Sequence, residues 1–258
     1  MWLSAWIRSP VWQNAAATAI TFVLMVAWLR GMDSAAHRGW MSERLSRKVI
    51  HTGTGPLFLL CWNLFASSAG AAWWAASIPL AVTLQFAAVG FGWIQDPAAV
   101  RAMSRSGDRR EILQGPVYYG LIFVLATVVF WRSSPVGVLA LMILCGGDGL
   151  ADIVGRRWGL HPLPWAAGKS WVGSAAMLLG SFGFALAMIL AFNAWGDFRP
   201  SLELGQTAGV VLLVSVIATA VESLPLEGID NITVFVAAIA SCWLLIGPLG
   251  CWQAVFLP

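Results

Sequence analysis

The sequence predicts an all-α fold: a polytopic integral membrane helical bundle of about eight transmembrane helices, forming one domain over residues 1–258. Three observations predict it. Of the residues, 59% are hydrophobic and only 10% charged, with a mean hydropathy of +0.77. A soluble domain carries roughly 25% charged residues, so lipid must face much of this surface. The apolar residues also fall into runs of the length a helix needs to cross the hydrocarbon core, about 20 residues. Finally, the 26 glycines and 16 tryptophans suit close helix contacts and the membrane interface.

The runs lie at roughly 12–30, 49–67, 71–94, 116–132, 135–155, 172–195, 206–222 and 231–250. Most tryptophans, Trp62, Trp73, Trp74, Trp93, Trp131, Trp165 and Trp171 among them, sit near run ends and read as interfacial anchors. The fifth run differs from the others because Gly146, Gly147, Asp148, Gly149 and Asp152 occupy its second half. Connections are short, and no repeat of solenoid length is visible. The cysteines Cys61, Cys145, Cys242 and Cys251 lie in or beside apolar runs without CxxC pairing, as small core residues do. No cleavable signal peptide and no Arg- and Ser-rich transit peptide precede the first run. It is therefore expected to be retained, in a bacterial inner (cell) membrane rather than a plastid.

Basic residues set the orientation. Arg30, Arg38, Arg44, Arg47 and Lys48 follow the first run, Arg101, Arg105, Arg109 and Arg110 the third, and Arg156, Arg157 and Lys169 the fifth; Arg8, Arg132 and Arg199 remain for the other side. The heavily charged loops are thus expected to be cytoplasmic and both termini outside. The loop holding Glu222, Glu227, Asp230 and Asn231 falls on the same side although it is acidic. Polar loops distant in sequence are expected to form a water-accessible site at that boundary. The net charge of +3 is small, and no basic block interleaved with aromatics points to nucleic acid.

Asp148 and Asp152 are four apart and stack on one helical face. Such a pair suits Mg²⁺, which takes one or two carboxylates and completes its shell with substrate phosphates. Gly155 and Gly159 continue the stripe; they either let a phosphate approach the backbone or pack helices, with Arg156 or Arg157 neutralising the carboxylates. Intramembrane carboxylates are costly and mark functional sites. Lys169, with Ser170 able to cap a helix start and Gly173 following, forms a plausible phosphate cradle. It is not a Walker A loop, since Leu163 stands where that pattern needs its first glycine. Arg47, Lys48 and His51 share a helical face, as a positive-inside anchor or as a phosphate and acid–base group. Glu222, Asp230 and Asn231 flank a Pro-containing turn and offer hard oxygen ligands for a second cation or for nucleotide hydroxyls. The mixed-charge stretch Ser104–Glu111 reads by itself as a solvated loop.

Taken together, these motifs resemble the polyprenol kinases, which include phytol, farnesol and dolichol kinases. The run Asp148-Gly-Leu-Ala151-Asp152-Ile-Val-Gly155-Arg-Arg-Trp-Gly159, then Lys169-Ser170-Trp171-Val172-Gly173, is similar to that family's CTP-binding signature. Gly168 stands where the family often has a first lysine, and Val172 where dolichol kinases tend to have Glu, which favours the phytol kinase branch. That branch is also similar in Arg47-Lys48-Val-Ile-His51, Ser106-Gly107-Asp108-Arg109-Arg110-Glu111, Gly115-Pro116-Val-Tyr118-Tyr119, Glu222-Ser-Leu-Pro225 and Asp230-Asn231-Ile-Thr233. The resemblance implies a kinase that uses CTP, or UTP, with Mg²⁺ on a membrane-dissolved isoprenoid alcohol such as phytol or geranylgeraniol. Asp148 and Asp152 would hold Mg²⁺ and Lys169 would contact the transferring phosphate. Gly155, Gly159, Ser170, Gly173, Arg47, Lys48 and Asn231 would bind the nucleotide, with Glu222 and Asp230 as further metal ligands. Asp148, Asp152 and His51 are the candidates for general base. The alternative is a phosphatidate cytidylyltransferase-like CTP transferase, whose segment is related but whose C-terminal motif is missing here. A transporter is disfavoured because the polar groups crowd one interface and no inverted repeat is present.

Overall fold

The computed structural model describes residues 3–104, 106–226 and 228–249, with side chains of the last helix through Leu245. Arg105, Glu227 and Cys251, noted in the sequence, lie outside the described residues. The fold is helical, as expected, and its helices gather into two compact units, Met1–Val128 and Val129–Pro258.

In the first unit, α1 (Pro10–His37) packs on α2 (Glu43–Cys61) and α3 (Ala71–Phe91); the short α4 (Pro97–Met103), a 3₁₀ turn (Arg109–Leu113) and α5 (Gly115–Phe130) follow. Pro10 starts α1, where its missing N–H costs nothing. Ser42 caps α2 by accepting the Leu45 N–H. Gly92 ends α3 in the left-handed conformation at φ +82.

The second unit is built around α6 (Pro135–Met142) and the residues after it. Every α6 side chain is buried. The helix widens into a π-helical stretch, Ile143–Asp148, before resuming as α7 (Gly149–Trp158). Then come strands β1 (Pro162–Leu163) and β2 (Ala166–Ser170), α8 (Trp171–Ala194), α9 (Leu204–Glu222) and α10 (Asp230–Leu249). α8 packs against α6, the π stretch, α7 and α9, and α10 packs on α9 and α6.

Among the described residues, six helical segments are long and apolar enough to cross a membrane. The other two expected spans are also helical, but α2 begins with Glu43, Arg44, Arg47 and Lys48, and α10 is described with side chains only to Leu245. Two features differ from the expectation. Lys169 stands just before the Ser170 cap of α8, as expected, but within β2, the longer strand of an unexpected antiparallel hairpin that pairs Pro162 with Ser170 and Leu163 with Ala166. Trp62 is fully buried rather than interfacial, whereas Trp73 and Trp93 are exposed. The cysteines Cys61, Cys145 and Cys242 are buried, as small core residues are.

Candidate active site

The first unit carries Arg47, Lys48 and His51 on α2. The Arg47 guanidinium donates to the Ser104 carbonyl, which ties α2 to the mixed-charge stretch. That stretch is ordered by its own side chains: the Ser104 hydroxyl accepts the Gly107 N–H at 3.0 Å, and Glu111 accepts the Ser106 N–H at 3.2 Å. Ser106, Gly107, Asp108, Arg109 and Arg110 are exposed, as the solvated-loop reading expects. The Tyr119 hydroxyl donates to the His51 carbonyl at 2.7 Å, with the two rings 4.4 Å apart. His51 is therefore held in place through its backbone and its ring face.

In the second unit, Asp148 ends the π stretch and Asp152 lies one turn on, so the two share a continuous helical segment as their spacing required. Their surroundings differ. Asp152 accepts from Arg156 at 2.5 Å, an i,i+4 pair whose arginine is about half exposed. Asp148 instead acts on Glu222, at the end of α9, which also feels Asp230 as a like charge. Asp148 of the π stretch and Asp230 of α10 thus both lie within electrostatic reach of Glu222.

Lys169 meets that group directly. Its ammonium lies 2.9 Å from Glu222 Oε1 and also donates to the Glu222 backbone carbonyl. Glu222 was expected as a metal ligand; the structure gives its carboxylate to Lys169. Beside this pair, the Trp165 indole N–H donates to the Ser223 carbonyl at 3.1 Å and lies 3.3 Å from its hydroxyl. Asp230 accepts the N–H of Asn231 at 3.1 Å, which fixes the start of α10.

The glycines and Ser170 have a clear geometric role. Ser170 caps α8 by accepting the Gly173 N–H at 3.1 Å. A Cβ at Gly155 would sit 3.2 Å from Gly173 Cα, and one at Gly159 would strike the Gly155 carbonyl and the Ser170 hydroxyl. Gly155 and Gly173 therefore let α7 lie against the start of α8, and Gly159 leaves room for the Ser170 hydroxyl at the end of β2.

Sequence reasoning missed Trp165, grouped there with interfacial anchors. Its only local signal was its place in the short segment between two apolar runs, four residues before Lys169.

Among the described residues, no three His, Cys, Asp or Glu side chains form a ready metal cage. The donor set still suits Mg²⁺, because that ion is held by one or two carboxylates plus substrate phosphates rather than by an all-protein cage. Asp148 and Asp230 are the hard-oxygen donors whose charges act on Glu222 of the Lys169–Glu222 pair.

The chain is 37% identical to a probable chloroplastic phytol kinase of Triticum aestivum over 241 residues, covering 93% of this chain and 80% of that protein. It is 34% identical to phytol kinase 1 of Arabidopsis thaliana, covering 95% and 80%. The chain belongs to the phytol kinase branch of the polyprenol kinase family. A farnesol kinase of Arabidopsis thaliana is also 34% identical, over 92% of this chain and 77% of that protein. Membership makes this polyprenol kinase homologue an enzyme, an alcohol phosphotransferase. No family profile matches the chain, and no solved structure matches it.

Proposed function

We propose that the chain phosphorylates an isoprenoid alcohol such as phytol or geranylgeraniol to its monophosphate, using CTP, or UTP, with Mg²⁺ at the cytoplasmic membrane face. The observation that carries the reading is the convergence of Lys169 with Asp148, Glu222 and Asp230 within one unit, in a chain whose relatives are named phytol and farnesol kinases. The apolar helices support a membrane location, and the excess of basic residues on one side supports the cytoplasmic face. The named relatives are chloroplastic, so they lend no support to a bacterial inner membrane.

In the reaction, the alcohol oxygen bonds to the γ-phosphorus as the bond from that phosphorus to the bridging oxygen breaks. The nucleoside diphosphate leaves, and the hydroxyl proton passes to a base. Phosphoryl transfer depends mainly on positioning and charge neutralisation. An ammonium has three N–H donors. Glu222 engages two of those on Lys169, and the third is left for a phosphate oxygen. Asp148, the first carboxylate of the signature, together with Asp230 would hold Mg²⁺, which supplies neutralisation of phosphate charge. Arg156 shares its charge with Asp152 within α7, and Asp152 would add its carboxylate to the binding of the metal and phosphates.

The test incubates the purified protein with phytol, farnesol, geranylgeraniol or dolichol and labelled CTP, UTP or ATP, with and without Mg²⁺. A phosphorylated lipid and free CDP or UDP are expected, abolished by EDTA. Asp148→Asn should lower turnover at least about a hundredfold, the scale of losing one electrostatic contact to a transferring group. Pyrophosphate release in place of a diphosphate would sink the kinase reading in favour of a cytidylyltransferase.

A further inference from the structure

The hairpin between α7 and α8 meets the end of α9 through two side chains. A helix leaves its last carbonyls without intrahelical partners, and α9 ends at Glu222. Lys169 donates to the Glu222 carbonyl and Trp165 to the Ser223 carbonyl. The hairpin thus serves as the C-cap of α9. A cation there is further favoured by the negative end of the helix dipole. The Trp165 ring, half exposed, packs edge-on against Trp171 at 5.6 Å, which ties the brace to the first residue of α8. Gly168, at φ +85 with open space around it, turns the strand between the two contact points. A lysine stem is long and flexible; with its head on Glu222 and its strand pinned four residues earlier, that freedom is removed.

From this we infer that Trp165 and Ser223 are positioning residues that hold Lys169 where a nucleotide phosphate must meet it. Glu222 on this view is the counter-ion that keeps the lysine charged and aimed, not a metal ligand. The inference rests on the reading of Lys169 as the phosphate-contacting lysine.

A binding cycle separates the two. Labelled CTP, with UTP in parallel, is titrated with Mg²⁺ onto the full chain in detergent micelles. The variants are Trp165→Phe, Lys169→Gln and the double variant. Phe keeps the ring packing and loses only the indole donor. Trp165→Phe should weaken binding about fivefold, the scale of one net hydrogen bond, with an unchanged melting temperature. In the Lys169→Gln background it should change binding by less than about twofold, because residues acting through one contact are not additive. An equal factor in both backgrounds, or none in either, overturns the brace while leaving Lys169 in place. Wild-type binding by Lys169→Gln overturns the lysine reading and the brace with it. Should Trp165→Phe lower the melting temperature, Ser223→Ala, which leaves the carbonyl and removes the hydroxyl partner, carries the same cycle with a smaller factor.

Discussion

At Gly159 there is no room for a methyl group. A Cβ would collide with the Gly155 carbonyl, a backbone atom that cannot swing aside, and with the Ser170 hydroxyl. Gly159→Ala must distort the C-terminal turn of α7 and press on Ser170 at the start of α8, a strain of about 1–3 kcal/mol by the usual cost of overpacking. Because β2 enters the start of α8, Lys169 would shift with it. A lowered melting temperature and a drop in turnover are expected together. Adding Ser170→Ala should not restore either, since the Gly155 carbonyl remains and the α8 cap, worth about 1 kcal/mol, is lost as well. Recovery by the double variant would show that the serine contact, not the backbone contact, sets the need for glycine.

The π-helical stretch Ile143–Asp148 poses a different packing problem at the scale of the element. π turns inside α-helices are rare and concentrate at functional sites; this one ends on Asp148. Its glycines face α8. A Cβ at Gly146 would lie 2.5 Å from Phe184 Cγ, and one at Gly147 would strike the Ser181 hydroxyl and lie 2.7 Å from Met177 Sδ. Ser181 is fully buried, and its hydroxyl has no hydrogen-bond partner among the described residues. Ser181→Ala alone should therefore be close to neutral, since it removes an unsatisfied buried group. Gly147→Ala should destabilise by about 1–3 kcal/mol and reduce activity by moving Asp148. Unlike the Gly159 case, the double Gly147→Ala, Ser181→Ala variant should regain most of both, because the obstructing atom is a side chain and Met177 is pliable. Thermal unfolding in detergent and turnover measured side by side would check it; no recovery would place the obstruction elsewhere.

Over the whole molecule, helix positions were legible because the requirement to bury about 20 residues in hydrocarbon is local and periodic. Thus α3, α8 and α9 lie close to where the apolar runs put them. The hairpin was not legible: β1 has two residues and β2 holds Gly168 and Lys169, which carry no strand signal by themselves. The π stretch reads as ordinary helix in sequence, since its widening depends on what α8 presents to it. Of the candidate site, the acidic and basic groups were visible, but their partnering was not. Lys169 and Glu222 are 53 positions apart, and nothing local distinguishes a lysine awaiting phosphate from one already seated on a glutamate. The second unit also has a buried ion pair that the expected topology treated merely as a residual basic residue. Arg132, just before α6, lies 3.4 Å from Asp197, just after α8, and both side chains are under a tenth exposed. Burial pushes the Arg132 guanidinium below its usual value, and Asp197 partly restores it; arginine stays charged at any working pH. The pair joins the ends of α6 and α8 remote from Lys169, about 20 Å along α6 and the π stretch from Asp148 at 1.5 Å per residue. Arg132→Ala leaves a buried carboxylate without its cation and should cost about 3–5 kcal/mol, whereas replacing both partners as Arg132→Met, Asp197→Leu should be far milder. Neither change touches the site, so the protein that remains folded should keep its nucleotide KM. A raised KM in the folded fraction would mean that this end of the unit communicates with Lys169 through α6 and α8.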